Sequence, residues 1–412
     1  MNDRISLISD NTKLIYDEDA YIKDFSAKVM VCSKTEDGKY EIVLNQTAFF
    51  PEGGGQSSDT GCIGKAHISE VYIEDNKVVH LSDTALTEGE IYECHIDFEK
   101  RYDRMQNHSA EHLFCGLICS KYGFDNVGFH LNDEVTILDI SGALDNEALL
   151  EVEKRANEII YENVKITVSY PSKEELVNLE YRSKLDLLDG VRLVTIEGYD
   201  VCACCAPHVR TTGEIGCIKV IDSFAHRGGT RITLLAGKRA YMDYQALNQS
   251  NKKIMGLVSS KRLEIEDGVS QLLVRNQKLN DELVKLKTEM TKMVTDSVIL
   301  EINKRAEDDK RPVLVFSESF DDIQMRNLIN KVVKEYGCIV AGFMGDDNNG
   351  YRYIIGGNKD SIISVDGEAL NLSLFAKKLN EALNGRGGGS PQMIQGSVAS
   401  KRDMITDYIN AL

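Results

Sequence analysis

Two short segments far apart in the chain, His108-Ser109-Ala110-Glu111-His112 and Cys204-Cys205-Ala206-Pro207-His208, each place a pair of metal-binding side chains four residues apart. In a helix, that spacing puts both side chains on one face with Cβ atoms about 5–6 Å apart. Two imidazoles from one segment, with a thiolate and an imidazole from the other, match zinc in ligand type and number. His108, His112, Cys204 and His208 are therefore the expected ligands of one zinc ion, and any fold must bring the two segments together. A lone His-x-x-x-His is more often packing than metal, so the two pairs gain weight only jointly. A zinc peptidase helix carries Glu directly after its first His. Here Ser109 holds that position and Glu111 is expected elsewhere on the helix, which argues against a peptidase. A structural finger would have its Cys and His pairs close in sequence.

The chain has 412 residues, 27% of them charged and 42% hydrophobic, without low-complexity tracts. That length is ample for several cores. No apolar run is long enough to cross a bilayer, and Met1–Ile5 lacks a basic-then-apolar leader, so a cytoplasmic protein with no membrane partner is expected. Ten cysteines are too sparse for a disulfide scaffold at this length. A net charge of −17 does not favour nucleic acid, although a local basic groove matters more than the total.

The pattern predicts an α+β multidomain protein with four parts: a small β-barrel carrying a glycine-rich motif over 1–100, an α+β zinc-binding domain over 101–237, a long helical, coiled-coil segment over 238–311, and a C-terminal α/β domain over 312–412. Ala27–Cys32, Tyr40–Leu44, Val71–Ile73, Val78–Leu81 and Ile91–Ile96 read as short strands of a barrel or curled sheet, with a hairpin turn at 74–77. A helix carrying both histidines is expected from an Asp103/Gln106 capping box to Gly123. A strand at Val135–Ile140, a helix at Asn146–Glu162, a strand at Val164–Tyr170 and a strand pair, Val191–Ile196 with Cys217–Ile221, follow. Val269, Leu272, Leu279, Leu283, Leu286, Met290 and Met293 keep a heptad spacing, with Asn276 in the slot between Leu272 and Leu279. That stripe pairs either with its own chain or with a second copy through 265–294. Strands at Val313–Phe316, Cys338–Phe343 and Tyr351–Ile355 and helices at Asp322–Tyr336 and Leu372–Asn384 precede the run Gly385-Arg386-Gly387-Gly388-Gly389.

A third motif, Gln46-Thr47-Ala48-Phe49-Phe50-Pro51-Glu52-Gly53-Gly54-Gly55-Gln56, lies within the barrel strands. Its glycines allow a sharp turn or close approach to a ligand, and no Gly-Lys-Ser/Thr follows to make it a P-loop. Thr-x-Phe-Phe-Pro-Glu-Gly-Gly-Gly-Gln, the Arg101–His112 helix and Cys204–Gly216 together resemble the editing domain of alanyl-tRNA synthetase and its free-standing AlaX-type relatives. Gly385–Ser397 is similar to the end of the synthetase's C-terminal domain. The chain departs at Cys205-Ala206-Pro207, where synthetases usually have Gly-Gly-Thr, and Cys202 and Cys205 add neighbouring thiols. With few residues before Gln46, the long AlaX form is the expected match, deacylating without aminoacylating.

The resemblance implies zinc on His108, His112, Cys204 and His208, and substrate contacts from Thr47, Gly54, Gly55 and Gln56, with Thr47 toward a serine hydroxyl. It implies a trans-editing deacylase for Ser-tRNA(Ala) and possibly Gly-tRNA(Ala), with mischarged tRNA(Ala) as partner, the last domain holding tRNA and the long helix mediating a homodimer. Four protein ligands would close a tetrahedral shell, so zinc either activates water or orders the pocket, and no catalytic residue beyond it is assigned. A non-catalytic zinc-containing tRNA-binding protein and a zinc hydrolase of another aminoacyl ester are the alternatives. Arg227, Arg231, Lys238, Arg239 and Arg386 are the basic candidates for tRNA.

Overall fold

The computed structural model describes residues 12–75, 77–183, 190–306, 309–365 and 367–412. Asn76 of the expected hairpin turn and the N-terminal residues bearing on a leader lie outside them. The chain forms two compact units, Met1–Lys253 and Ile254–Leu412. No helix among the described residues is long and apolar enough to cross a membrane.

The first unit opens with a closed barrel. Its strands, Asp24–Lys34, Tyr40–Leu44, Lys77–Ser82, Ala66–Glu74, Gly61–Ile63 and Ile91–Ile96, pair in that order, and the last returns to the first. Alternation along each strand sends Ala27, Val29, Ile42, Leu44, Ile68, Val71 and Val78 into one core. Gly61–Ile63 carries too short a pattern to be read from sequence and closes the barrel between its neighbours.

Helix α1 (Phe98–Tyr122) follows, and Gly123 ends it in the left-handed conformation, its N–H donating to Cys119 O. The helix begins earlier than the sequence suggested. Asp97 is the cap, while Asp103 and Gln106 lie inside the helix; Asp103 pairs with Arg239 and Gln106 donates to the Glu214 carbonyl. Helix α2 (Asn146–Glu162), the short α3 (Lys173–Leu176) and α4 (Gly237–Val258) complete the helices that begin in this unit. One four-stranded sheet runs Ile218–His226, Gly229–Ala236, Thr136–Ile140, Asn126–Leu131, and one three-stranded sheet runs Ile166–Ser169, Leu193–Ile196, Asp200–Ala203. The expected pairing of 191–196 with 217–221 is therefore incorrect: those strands belong to different sheets, and 193–196 pairs with 200–203 instead. Met105, Leu113, Phe114 and Ile118 of α1 share a core with Leu149, Val152 and Ile159 of α2 and Ile232 and Leu234 of the sheet. Each such side chain contributes about 1.5–3 kcal/mol by leaving water.

In the second unit, α5 (Ile265–Ile302) is one 38-residue helix. Its heptad side chains Val269, Leu272, Leu279, Leu283 and Leu286 are exposed, whereas Met290 packs on the terminal core with Met325, Leu328 and Val332 of α6 (Asp322–Tyr336). A five-stranded sheet, Val313–Ser317, Val340–Asp346, Gly350–Gly356, Met393–Val398, Gly385–Gly389, has one parallel pair, joined across α6, and is covered by α7 (Leu372–Ala382) and α8 (Arg402–Asn410). The glycine run is its edge strand. A Cβ at Gly387 would come within 2.4 Å of the Gln395 carbonyl, so only glycine lets the strands approach this closely.

Candidate active site and metal centre

Every α1 residue from Arg104 to Gly116 is buried, which makes this a core helix with polar side chains on its inner face. Arg101, fully buried, pairs with Asp59 (Nε to Oδ2 2.9 Å) and donates to the Ala20 and Ala48 carbonyls. Asp59 in turn accepts from the Phe50 N–H. This clamp ties both ends of the glycine-rich stretch to α1. Gly54 and Gly55 adopt φ of 60° and 84°; a Cβ on Gly55 would meet the Phe129 carbonyl at 2.7 Å, and one on Gly54 would stand 3.8 Å from Cys205 Sγ. The turn thus threads between the strand at 126–131 and the cysteine segment and delivers Gln56 to the histidines.

One ligand atom each from His108, His112, Cys204 and His208 falls within 4.8 Å of the others. Cys204 Sγ lies 3.6 Å from His108 Nε2 and 3.4 Å from His208 Nε2. A tetrahedron with bonds of about 2.0–2.3 Å has edges of about 3.3–3.7 Å, so these separations fit zinc. The other ring nitrogens are all engaged. His108 Nδ1 donates to Gln56 Oε1 (2.8 Å), His208 Nδ1 to Ser109 Oγ (3.0 Å) and His112 Nδ1 to Asp200 Oδ2 (3.2 Å). Metal-bound histidines use their second nitrogen in this way, which fixes ring and tautomer. Asp200 is itself held by Arg182, Nε to Oδ1 at 2.7 Å. Ser109, the residue that counted against a peptidase, instead orients His208.

Electrostatics separate the three thiols. Burial opposes ionisation of Cys204, but the His108 and His208 rings beside it pull it well below the usual thiol range. Burial pushes Cys205 up to about 12 and Cys202 up to about 11. Burial, then His112, lowers His208 to about 3, so it is a neutral donor. Cys204 is thus the thiol suited to be a ligand, although Cys202 also groups with His112 and Asp200.

Thr47 is placed differently from Gln56. It is fully buried; its Oγ1 is 2.9 Å from His80 Nε2 and accepts from the Phe49 N–H. His80 Nδ1 faces the Ile42 carbonyl, so Nε2 takes the Thr47 proton. Arg231, Lys238 and Arg239 are paired with Asp139, Glu99 and Asp103, while Arg227 and Arg386 are exposed. Glu111, expected elsewhere on the helix than directly after the first His, lies against His112. It is buried, with Oε2 3.7 Å from His112 Nε2 and Oε1 accepting from Asn126 Nδ2 at 2.5 Å. The overlooked signal was His-x-x-Glu-His, the inverse of the peptidase order and itself a zinc-hydrolase motif.

Residues 191–233, which include Cys204 and His208, match the family model described as the threonyl and alanyl tRNA synthetase second additional domain; residues 2–100, with the glycine-rich turn, match tRNA synthetases class II (A). The alanyl-tRNA editing protein AlaX-L of Pyrococcus horikoshii is 24% identical over 95% of this chain and 96% of its own length. The alanyl-tRNA editing protein Aarsd1 of Danio rerio is 24% identical over 93% of each chain. Over almost its whole length the chain is similar to alanyl-tRNA editing proteins. The alanine–tRNA ligase of Ignicoccus hospitalis is 30% identical over 67% of this chain but only 31% of its own length. The two family models thus fall on the glycine-rich turn and on the cysteine segment, and leave α1 between them.

Proposed function

We propose that this protein is an aminoacyl-tRNA deacylase that hydrolyses the ester of Ser-tRNA(Ala), and of Gly-tRNA(Ala), in trans and without charging tRNA. The observation that carries this reading is the cluster of His108, His112, Cys204 and His208 with Gln56 against it. Zinc bound there supplies a positive centre that polarises the ester carbonyl. Because His108 must keep its Nδ1 proton to bind metal through Nε2, Gln56 turns its Oε1 to that ring. Its Nε2 is then a buried donor without a protein partner, suited to the ester oxygen. Gly54 and Gly55 let the turn pass between Phe129 and Cys205 and so set Gln56 where an ester could meet it.

A charging site for alanine cannot strongly reject a residue that differs only by a hydroxyl, a discrimination of about 1–3 kcal/mol, so a second site that reads the hydroxyl has a clear purpose. Thr47 is our candidate for that contact. With its proton committed to His80, its oxygen acts as an acceptor, the polarity a serine hydroxyl needs. Thr47→Val is expected to slow Ser-tRNA(Ala) hydrolysis more than Gly-tRNA(Ala) hydrolysis; equal effects remove the role. We further propose that the last hundred residues hold the tRNA body, with Arg386 among the contacts, and that α5 joins two copies through 265–294. We also propose that the chain is organised as four domains, 1–100, 101–237, 238–311 and 312–412.

The deciding experiment is deacylation of Ser-, Gly- and Ala-tRNA(Ala) by wild type and Cys204→Ala, with zinc content measured on both. The expected outcome is turnover of the mischarged species by wild type and loss of both zinc and turnover in the variant. ATP-dependent alanine charging would remove the trans-only part. A second reading draws on the closed four-ligand shell, which suits a structural ion: tRNA binding by zinc-loaded protein with no turnover would favour it.

A further inference from the structure

One buried ionisable group has no part in the chemistry described so far. Glu111 is 4% exposed, and a buried carboxylate costs several kcal/mol unless its oxygens are satisfied. Asn126 donates to Oε1 and so fixes the carboxylate from the neighbouring strand. Oε2 lies 3.7 Å from His112 Nε2, the ring nitrogen left for the metal once Nδ1 is held by Asp200. Yet Glu111 is not one of the four residues whose ligand atoms converge. It stands beside the ligand shell, its Oε2 against the His112 ring and its carboxylate also hydrogen-bonded by the Cys115 thiol, and it lies outside the coordinating set. In the peptidase order, His-Glu-x-x-His, the glutamate adjoining a ligand is the general base. His108-Ser109-Ala110-Glu111-His112 presents a glutamate at the other ligand, in the inverted order.

Resting on the deacylase reading, we propose that Glu111 is the catalytic base of the hydrolysis, its Oε2 taking a proton from the attacking water. The water oxygen bonds to the ester carbonyl carbon as the carbonyl π pair moves onto its oxygen, which Gln56 Nε2 faces. When that pair returns, the bond from the carbonyl carbon to the ribose oxygen breaks. The proton on Glu111 Oε2 passes to the leaving ribose oxygen and restores the hydroxyl. The free amino acid keeps the water oxygen, its remaining proton leaves to solvent, and Glu111 is again ionised. No co-reactant other than water is consumed.

The test compares wild type with Glu111→Gln, which preserves volume and the acceptor for Asn126. Single-turnover deacylation of Ser-tRNA(Ala) is measured on the zinc-loaded full chain, together with zinc stoichiometry, the visible spectrum of the cobalt-substituted protein and tRNA affinity. The expected result is a rate about 10²–10⁴-fold lower, with KM, metal content, cobalt spectrum and tRNA affinity unchanged. Formate is expected to restore part of the rate lost by Glu111→Ala. Three results would overturn the proposal: a Glu111→Gln rate within about threefold of wild type, loss of zinc or an altered cobalt spectrum accompanying the lost rate, or a rise in KM alone that spares N-acetyl-Ser-tRNA(Ala). The last would make Glu111 the anchor of the substrate ammonium. Wild type that hydrolyses no aminoacyl-tRNA overturns the deacylase reading and the base with it. Active wild type with an unaffected variant overturns the base alone.

Discussion

Helices α1 and α5 are built on similar repeats and put them to opposite uses. α1 has 25 residues and is buried without interruption from Arg104 to Gly116, so its inward stripe of His108, His112, Cys115 and Glu111 meets side chains of its own unit. α5 has 38 residues, and its stripe from Val269 to Leu286 lies in the open. A periodic stripe marks which side of a helix is sticky, not what will cover it. In α1 the cover is supplied by the same unit, and polar side chains can be held there because each has a partner. In α5, with only the lower end from Met290 packed, the upper stripe needs an outside partner or stays wet.

The contrast is broken most directly by truncating one side chain in each helix. Phe114→Ala, in the closed helix, should cost about 3–5 kcal/mol of unfolding free energy, read from urea titration; a loss below about 1 kcal/mol would mean the site can collapse or is less tightly packed than described. A second test concerns the barrel that anchors the glycine turn. Burial lowers His80 to about 4 from an ordinary value near 6.5. The folded state therefore binds its proton less readily than the unfolded chain. The stabilisation is full above about pH 6.5 and is lost as the pH falls toward 4, by up to about 3 kcal/mol. His80→Gln should flatten that part of the stability profile, and an unchanged slope would place the dependence on another group.

A smaller effect is expected one step outside the ligands. Asp200→Asn weakens the hold on His112 and leaves Arg182 without its carboxylate; zinc affinity, measured by competition with a chelating dye, should fall about 10–100-fold. The smallest effect is the counterpart in the open helix. Leu279→Ala should change unfolding free energy by less than about 0.5 kcal/mol in dilute protein, yet shift the population of dimers seen by light scattering. A dilute-solution cost as large as that of Phe114→Ala would show that the stripe is already covered.

Much of the architecture was legible because it rests on local chemistry. The bounds of α2 and α6 are those expected from the sequence, and Gly123 ends α1 as a glycine outside a helix should. What escaped the sequence depended on distant partners. Asp103 looked like a cap until Arg239 claimed it. Asp200–Ala203 is a strand because 193–196 lies beside it, and the glycine run is a strand because Gln395 leaves no room for a Cβ. At the site, the four ligand candidates could be named from spacing and residue type alone. The side chains that aim them could not, because Gln56, Ser109 and Asp200 gain that task only where the barrel turn and the cysteine strand meet α1. Glu111 is the instructive miss: the inverted order His-x-x-Glu-His is present in the sequence, and contact with His112 and Asn126 is what brings it to the site.

The separation of the two ligand pairs along the chain also sets an order of events. As the protein leaves the ribosome, both histidines of α1 and the turn bearing Gln56 emerge long before Cys204 and His208. An ion arriving early finds half a cage and cannot be retained. The full donor set can therefore exist only once the segment up to His208 has been made, and retention of zinc by a nascent chain would report that point.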